Sequence, residues 1–239
     1  MSRGQFVGPD LDKIFGDDSP AVSSAIDIDA IPSVFDYESN GIDFLVDGLI
    51  ARGSVTMLAG ESGAGKSTLT AALTDAVTKG LDFCGRQCSQ APVLILDREN
   101  GIDVIQERFT RLGLCKENCR VIVWGGWCQS EPPDPVASVV LKWVQKTEPK
   151  PLIVVDSVAA FMEGDENSAS DVRKFMDKLR KLANLGASVI TLHNSGKSEG
   201  SKKYRGSSDF KASIDVGIEV RNLGEGELGM MRLSAFKAR

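Results

Sequence analysis

The stretch Gly60-Glu61-Ser62-Gly63-Ala64-Gly65-Lys66-Ser67 is a complete match to G-x-x-x-x-G-K-[ST]. Ahead of it runs Ser54-Val55-Thr56-Met57-Leu58-Ala59, β-branched and apolar enough for a buried strand. Behind it, Thr68 to Val77 reads as a helix with apolar residues at Leu69, Ala72, Leu73 and Ala76. Strand, glycine-rich turn and helix form the context that gives this motif its meaning. Glycines let consecutive backbone N–H groups turn inward around phosphate oxygens, and the helix N-terminus adds a partial positive charge. Gly60, Glu61, Ser62, Gly63, Ala64, Gly65, Lys66, Ser67 and Thr68 are therefore expected to hold ATP. Lys66 would reach the β- and γ-phosphates, and the Ser67 hydroxyl would ligate Mg²⁺.

At 239 residues, 42% hydrophobic and 26% charged, the chain can bury a substantial core, as one large domain or one domain with an appendage. No apolar run approaches the roughly 20 residues of a membrane span. The first residues lack the basic-then-apolar pattern of a secretory leader, so a cytoplasmic location without a membrane partner is expected. Five cysteines are an odd number for a disulfide framework. Cys84-x₃-Cys88 and Cys115-x₃-Cys119 share a spacing, so four thiolates could hold Zn²⁺, but that spacing departs from the usual knuckle and free thiols are the favoured reading.

The net charge of −5 is uneven. Residues 1–47 carry ten acids against Arg3 and Lys13, leaving 23 acids and 26 bases for the remainder. An acidic whole therefore does not exclude nucleic acid as a partner of the main domain. Residues 1–39 read as an acidic, loosely ordered arm, either solvated or packed on a neighbouring subunit, and 40–239 as the main domain.

Past the first helix, the sequence alternates. Strands are expected at 91–97, 120–124, 151–156 and 187–192, with helices at 103–112, 135–146 and 171–184 between them. Ser170 is the expected cap of the last helix and Gly186 its C′ residue. Such alternation implies an α/β fold, a mostly parallel twisted sheet covered by helices on both faces. The end of the chain breaks this alternation, because a Gly/Ser/Lys loop at 195–211 precedes strands at 214–220 and 228–236, an antiparallel extension.

In an open α/β sheet the ligand sits at the carboxyl ends of the strands, so strand-end residues come next. Asp156 ends an apolar strand and suits Mg²⁺. Glu99 is the choice for the base that orients and deprotonates an attacking water, with Asp97 as competitor. His193, the single histidine, either senses the γ-phosphate or simply packs. Lys197, Lys202, Lys203, Arg205 and Lys211 make the loop after it basic enough for a phosphate backbone, or merely for solvent. Lys237 and Arg239, after an apolar strand, suit a finger reaching a neighbour's nucleotide, or a frayed basic terminus.

With these residues assembled, the chain resembles the RecA-like ATPases, most closely the group of RepA-type hexameric replicative helicases with DnaB, KaiC and RadA as relatives. The text that carries the resemblance is FLVDGLIARGSVTMLAGESGAGKST, VLILDREN, PLIVVDSVAAF, GDENSASDVRKFMDKLRKLANLGASVITLHNSGKS and YRGSSDFKASIDVGIEV, about residues 40–239. The resemblance implies a RecA-like P-loop core that hydrolyses Mg-ATP between subunits of a ring or filament, a hexamer in the helicases. It assigns Glu99 as catalytic glutamate, Asp156 as Walker B acid, Arg205 with Gly206-Ser207-Ser208 as the RGSS segment, and Lys237 with Arg239 as the K-x-R finger pair. Relatives usually show His-His-Thr-Gly-Lys-Ser where this chain has His193-Asn194-Ser195-Gly196-Lys197-Ser198.

The leading expectation is an ATPase motor or loader acting on single-stranded DNA. A KaiC-like regulatory ATPase that controls protein assembly is the alternative. A small-molecule kinase stands third, because the basic loop looks aimed at an extended partner.

Overall fold

A computed structural model of the protein describes residues 30, 32–36, 41–195, 208–224 and 230–238. The chain divides into two compact units, Met1–Gly41 and Ile42–Arg239. In the first, Val34–Asp36 forms a 3₁₀ turn closed by the Ser33 N–H donating to Asp36 Oδ2 at 2.7 Å.

The second unit contains two short hairpins, β1–β2 (Phe44–Val46 and Ile50–Ala51) and β4–β5 (Asp82–Phe83 and Arg86–Gln87), outside its main sheet. Among the described residues, the main sheet is built on seven strands. These are β3 (Val55–Gly60), β6 (Val93–Asp97), β7 (Val121–Gly125), β8 (Leu152–Asp156), β9 (Ser188–Asn194), β10 (Val216–Asn222) and β11 (Met231–Lys237). Their order across the sheet is β11-β10-β3-β9-β8-β6-β7. All neighbours run parallel except β10 and β11. The expected α/β fold with an antiparallel C-terminal extension is present.

Every residue of β3, β6 and β8 is buried, which is why these strands read as mostly apolar runs, with Thr56 the polar residue inside β3 and Asp97 and Asp156 closing β6 and β8. Side chains alternate between two cores. On one face, Leu58, Ile95, Val154 and Leu192 meet Leu69, Leu73 and Val77 of α1 (Lys66–Lys79). On the other, Met57, Leu96, Val155 and Val189 meet Val172, Phe175, Met176 and Leu179 of α5 (Ala169–Asn184). Each fully buried Leu, Phe or Met contributes about 1.5–3 kcal/mol through burial, so these two faces supply most of what holds the sheet.

The remaining helices are α2 (Ile102–Arg111), α3 (Ser138–Lys146), α4 (Val158–Phe161) and α6 (Ser208–Ser213). The cap of α5 is Ser168, whose hydroxyl accepts the Asp171 N–H at 3.4 Å; the expected Ser170 lies inside the helix. Its end is as expected: Gly186 is left-handed (φ 91°) and the Ala187 N–H returns to Leu182 O. The expected loop to residue 211 is interrupted by α6, so Lys211 is a helical residue.

Candidate functional site

The order β10-β3-β9-β8-β6 brings the carboxyl ends of five strands into one line, with β8 and β9 inserted between β3 and β6. The motif Gly60–Ser67 leaves β3 there. A Cβ on Gly60 would stand 2.4 Å from the Val220 carbonyl oxygen of β10, so that position requires glycine. Gly63 (φ 79°) and Gly65 (φ 93°) are left-handed, which turns the loop back onto α1. The Lys66 side chain curls into this loop and its Nζ donates to Gly60 O and Glu61 O, each at 2.9 Å. Burial holds its ammonium below the usual lysine range, while the charges of Asp156 and Glu99 oppose that shift.

Ser67, at the second position of α1, donates through Oγ to Asp156 Oδ2 at 3.3 Å. Asp156 is 7% exposed and lies in register with Asp97 across β8 and β6. Burial, then the charges of Asp97 and Glu99, push its carboxyl up to about 7, against the Ser67 hydrogen bond and the Arg108 charge. A hydroxyl and a carboxylate converging on one spot are hard oxygen donors of the kind Mg²⁺ prefers, so the residues present fit that ion.

Glu99 is exposed just beyond the end of β6, and its Oε1 accepts a short hydrogen bond from Ser157 Oγ. The turn that presents it is organised by Asp97. Asp97 Oδ1 accepts the N–H groups of Glu99 and Asn100 at 2.8 Å each, and Oδ2 accepts Asn100 Nδ2 at 2.8 Å. Of the two competing acids, then, Asp97 is committed to backbone while Glu99 projects to the open side. Arg98 points the other way. It donates to Pro132 O at 3.1 and 2.7 Å and to Ala160 O at 3.0 Å, and lies 4.1 Å over the Phe161 ring. That clamp ties the proline loop to α4 and leaves Glu99 beside Asp156.

His193 occupies a different place. It is 1% exposed within β9, on the α5 face of the sheet opposite Asp156, and its ring centroid is 5.1 Å from that of Phe210 in α6. The next residue, Asn194, is exposed, alternates onto the α1 face and pairs in register with Gly60. The Ser195 N–H donates to Gly60 O at 3.0 Å, joining this strand end to the phosphate loop. The period of two along β9 puts His193 and Asn194 on opposite faces of the sheet.

Lys237 Nζ donates to Lys211 O at 2.6 Å and Ala212 O at 3.0 Å, at the C-terminal end of α6. Lys197, Lys202, Lys203, Arg205 and Arg239 lie outside the described residues. Among the described residues, no three of His, Cys, Asp or Glu gather as a ligand set, and all five cysteines are free thiols. Nor is any helix among them long and apolar enough to cross a membrane. Ser157, Asn100 and Arg108 also belong to the site, although no spacing rule along the chain points to them.

A glycine-rich loop, a buried lysine, a Ser–Asp pair and a projecting glutamate thus meet at the carboxyl ends of the parallel strands. A family model described as an AAA domain matches residues 39–200. The chain belongs to that family. AAA domains of this kind are nucleotide-binding P-loop ATPases, which agrees with the loop and the sheet described above. No curated protein matches the chain.

Proposed function

We propose that this AAA domain is a Mg²⁺-dependent ATPase working as a motor or loader on single-stranded DNA, with residues 40–239 as the working domain. The single observation that supports the hydrolytic part is the convergence of Lys66, Ser67, Asp156 and Glu99 at the ends of β3, β8 and β6. Backbone N–H groups of the Gly60–Ser67 loop bind the triphosphate, and Lys66 turns from the loop carbonyls to the β- and γ-phosphates. Ser67 and Asp156 would hold Mg²⁺, which supplies charge neutralisation of the phosphates. Glu99, released from the Ser157 hydroxyl, accepts the proton of the attacking water. Asn194, in register with Gly60, would meet the γ-phosphate, and His193 would pass the position of β9 to α6 through Phe210.

The DNA part rests on the basic stretch Lys197, Lys202, Lys203, Arg205 and Lys211 that follows β9. A ring of identical subunits, completed by Lys237 and Arg239, is the assembly this reading requires. The test is steady-state ATP turnover with and without single-stranded DNA, at low and high salt. Glu99→Gln should keep Mg-ATP binding and lose turnover by about 100-fold or more. Wild-type turnover should rise with DNA and lose that rise at high salt. If turnover ignores saturating single-stranded DNA and no complex forms at low salt, the regulatory ATPase reading, as in KaiC, replaces the motor.

A further inference from the structure

Arg108 of α2 is half-buried and has no role in the mechanism proposed so far. It borders a small cavity of about 20 Å³ together with Ser67, Asp97 and Asp156. That space suits a single water with polar partners on several sides. Arg108 Nη1 also donates to Asn100 Oδ1 at 3.3 Å. Asn100 in turn gives its side-chain amide and its backbone N–H to Asp97, the 1%-exposed carboxylate that also receives the Glu99 N–H. A continuous line of hydrogen bonds therefore runs from α2 to the backbone of Glu99.

The helix that carries Arg108 is itself fixed. Ile105 is buried and Phe109 packs against the core around α1, so one side of α2 is anchored three residues before and one residue after the arginine. Asp97 and Asp156, paired in register, place two carboxylates in a mostly apolar setting, where a cation within reach offsets their mutual repulsion. Lys66 stands on the P-loop side of this pair, and Arg108 on the α2 side.

We propose that Arg108 is a positioning residue for ATP hydrolysis: through Asn100 it fixes the Asp97-centred turn that aims Glu99 at the attacking water. This rests on Glu99 being the base. Arg108 itself does not touch the nucleotide, so its loss should appear in the chemical step and not in binding. A catalytic group displaced by about 1 Å can lose on the order of 100-fold in rate.

The experiment measures kcat and KM for ATP, fluorescent-nucleotide affinity and thermal melting for wild type, R108Q, R108K, N100A, R108Q/N100A and E99Q. R108Q and N100A should each lower kcat by about 10- to 100-fold, with KM and nucleotide affinity within about twofold of wild type. The double variant should be no slower than the slower single variant, because both act on the same turn. R108K, which keeps the charge and N–H donors but not the planar fork, should recover part of kcat. Losses that multiply in the double variant, or a fall in nucleotide affinity matching the fall in kcat, overturn the proposal. Should R108Q melt early, N100A cuts the same line of hydrogen bonds and decides the question by its kcat and KM. Turnover surviving in E99Q removes the base assignment itself. Loss in E99Q with full activity in both R108Q and N100A removes only the role of Arg108.

Discussion

Ionised Asp156 costs the metal-free protein stability, and the sign of that cost is testable. Burial beside Asp97 and Glu99 moves its carboxyl from the ordinary 3.8 up to about 7. Between those two values the native state holds a proton that the unfolded chain has released. Stability contributed at this residue is therefore greatest at low pH, falls as pH rises from about 4 to 7, and levels off above. Asp156→Asn removes the titration while keeping the shape. In chelator, the melting temperature of Asp156→Asn relative to wild type should rise by a few degrees between pH 5 and pH 7 and then stay level. Melts across that range check it, and a difference that ignores pH would show a carboxyl already ionised in the native state. Mg²⁺ should raise the wild-type melting temperature at pH 8 and leave that of Asp156→Asn unchanged, since a ligand stabilises only what binds it.

Helix α6 shows what a short element needs. Six residues cannot hold a helix by their own hydrogen bonds, so neighbours must hold it. Phe210 is fully buried under His193, Arg173 bonds Asp209 at 2.8 Å, and Arg180 reaches Ser213 O at 3.0 Å and Asp215 at 2.7 Å. Lys237 completes the set by donating to the last carbonyls, where a cation also meets the negative end of the helix. Lys237→Ala should cost about 1 kcal/mol, lowering the melting temperature by about 2–4 °C for a domain of this size. An unchanged melting temperature in a calorimetric scan would mean that this amine stabilises nothing within its own subunit. None of these long-range partners is visible to a local reading, and a single apolar residue in Gly/Ser/Lys-rich text has no period. The strands β3, β6 and β8 are legible for the opposite reason. Buried on both faces, they are apolar almost throughout, and each ends in the polar text that marks the site. The hairpins β1–β2 and β4–β5 are too short to show any alternation, and although alternation separates His193 from Asn194, the packing of Phe210 from α6 over His193 is a long-range contact that no local pattern reveals.

At the scale of the molecule, every group that the proposed mechanism uses at the triphosphate comes from the carboxyl ends of strands within one chain: Lys66, Ser67, Asp156, Glu99 and Asn194. Phosphoryl transfer commonly needs one more cation at the γ-phosphate, and P-loop ATPases receive it either in cis or from a neighbour. Arg108 does not fill that role, because it stands on the α2 side of the carboxylates and is bonded to Asn100. Lys237 is engaged with α6 within its own subunit, which leaves Arg239 as the stronger member of the proposed finger pair. If Arg239 acts across an interface, a subunit with a dead P-loop can still activate its neighbour. Lys66→Ala and Arg239→Ala should each be inactive alone, the first through lost nucleotide binding and the second with nucleotide still bound. Mixed in equal amounts and allowed to exchange, about a quarter of the interfaces join an intact P-loop to an intact finger, so turnover should return to about a quarter of wild type. Specific activity of the wild type should also rise with protein concentration as subunits assemble, followed by light scattering in ATP. Mixtures that stay inactive, with a wild-type rate per subunit that ignores dilution, would place the missing cation within the same chain.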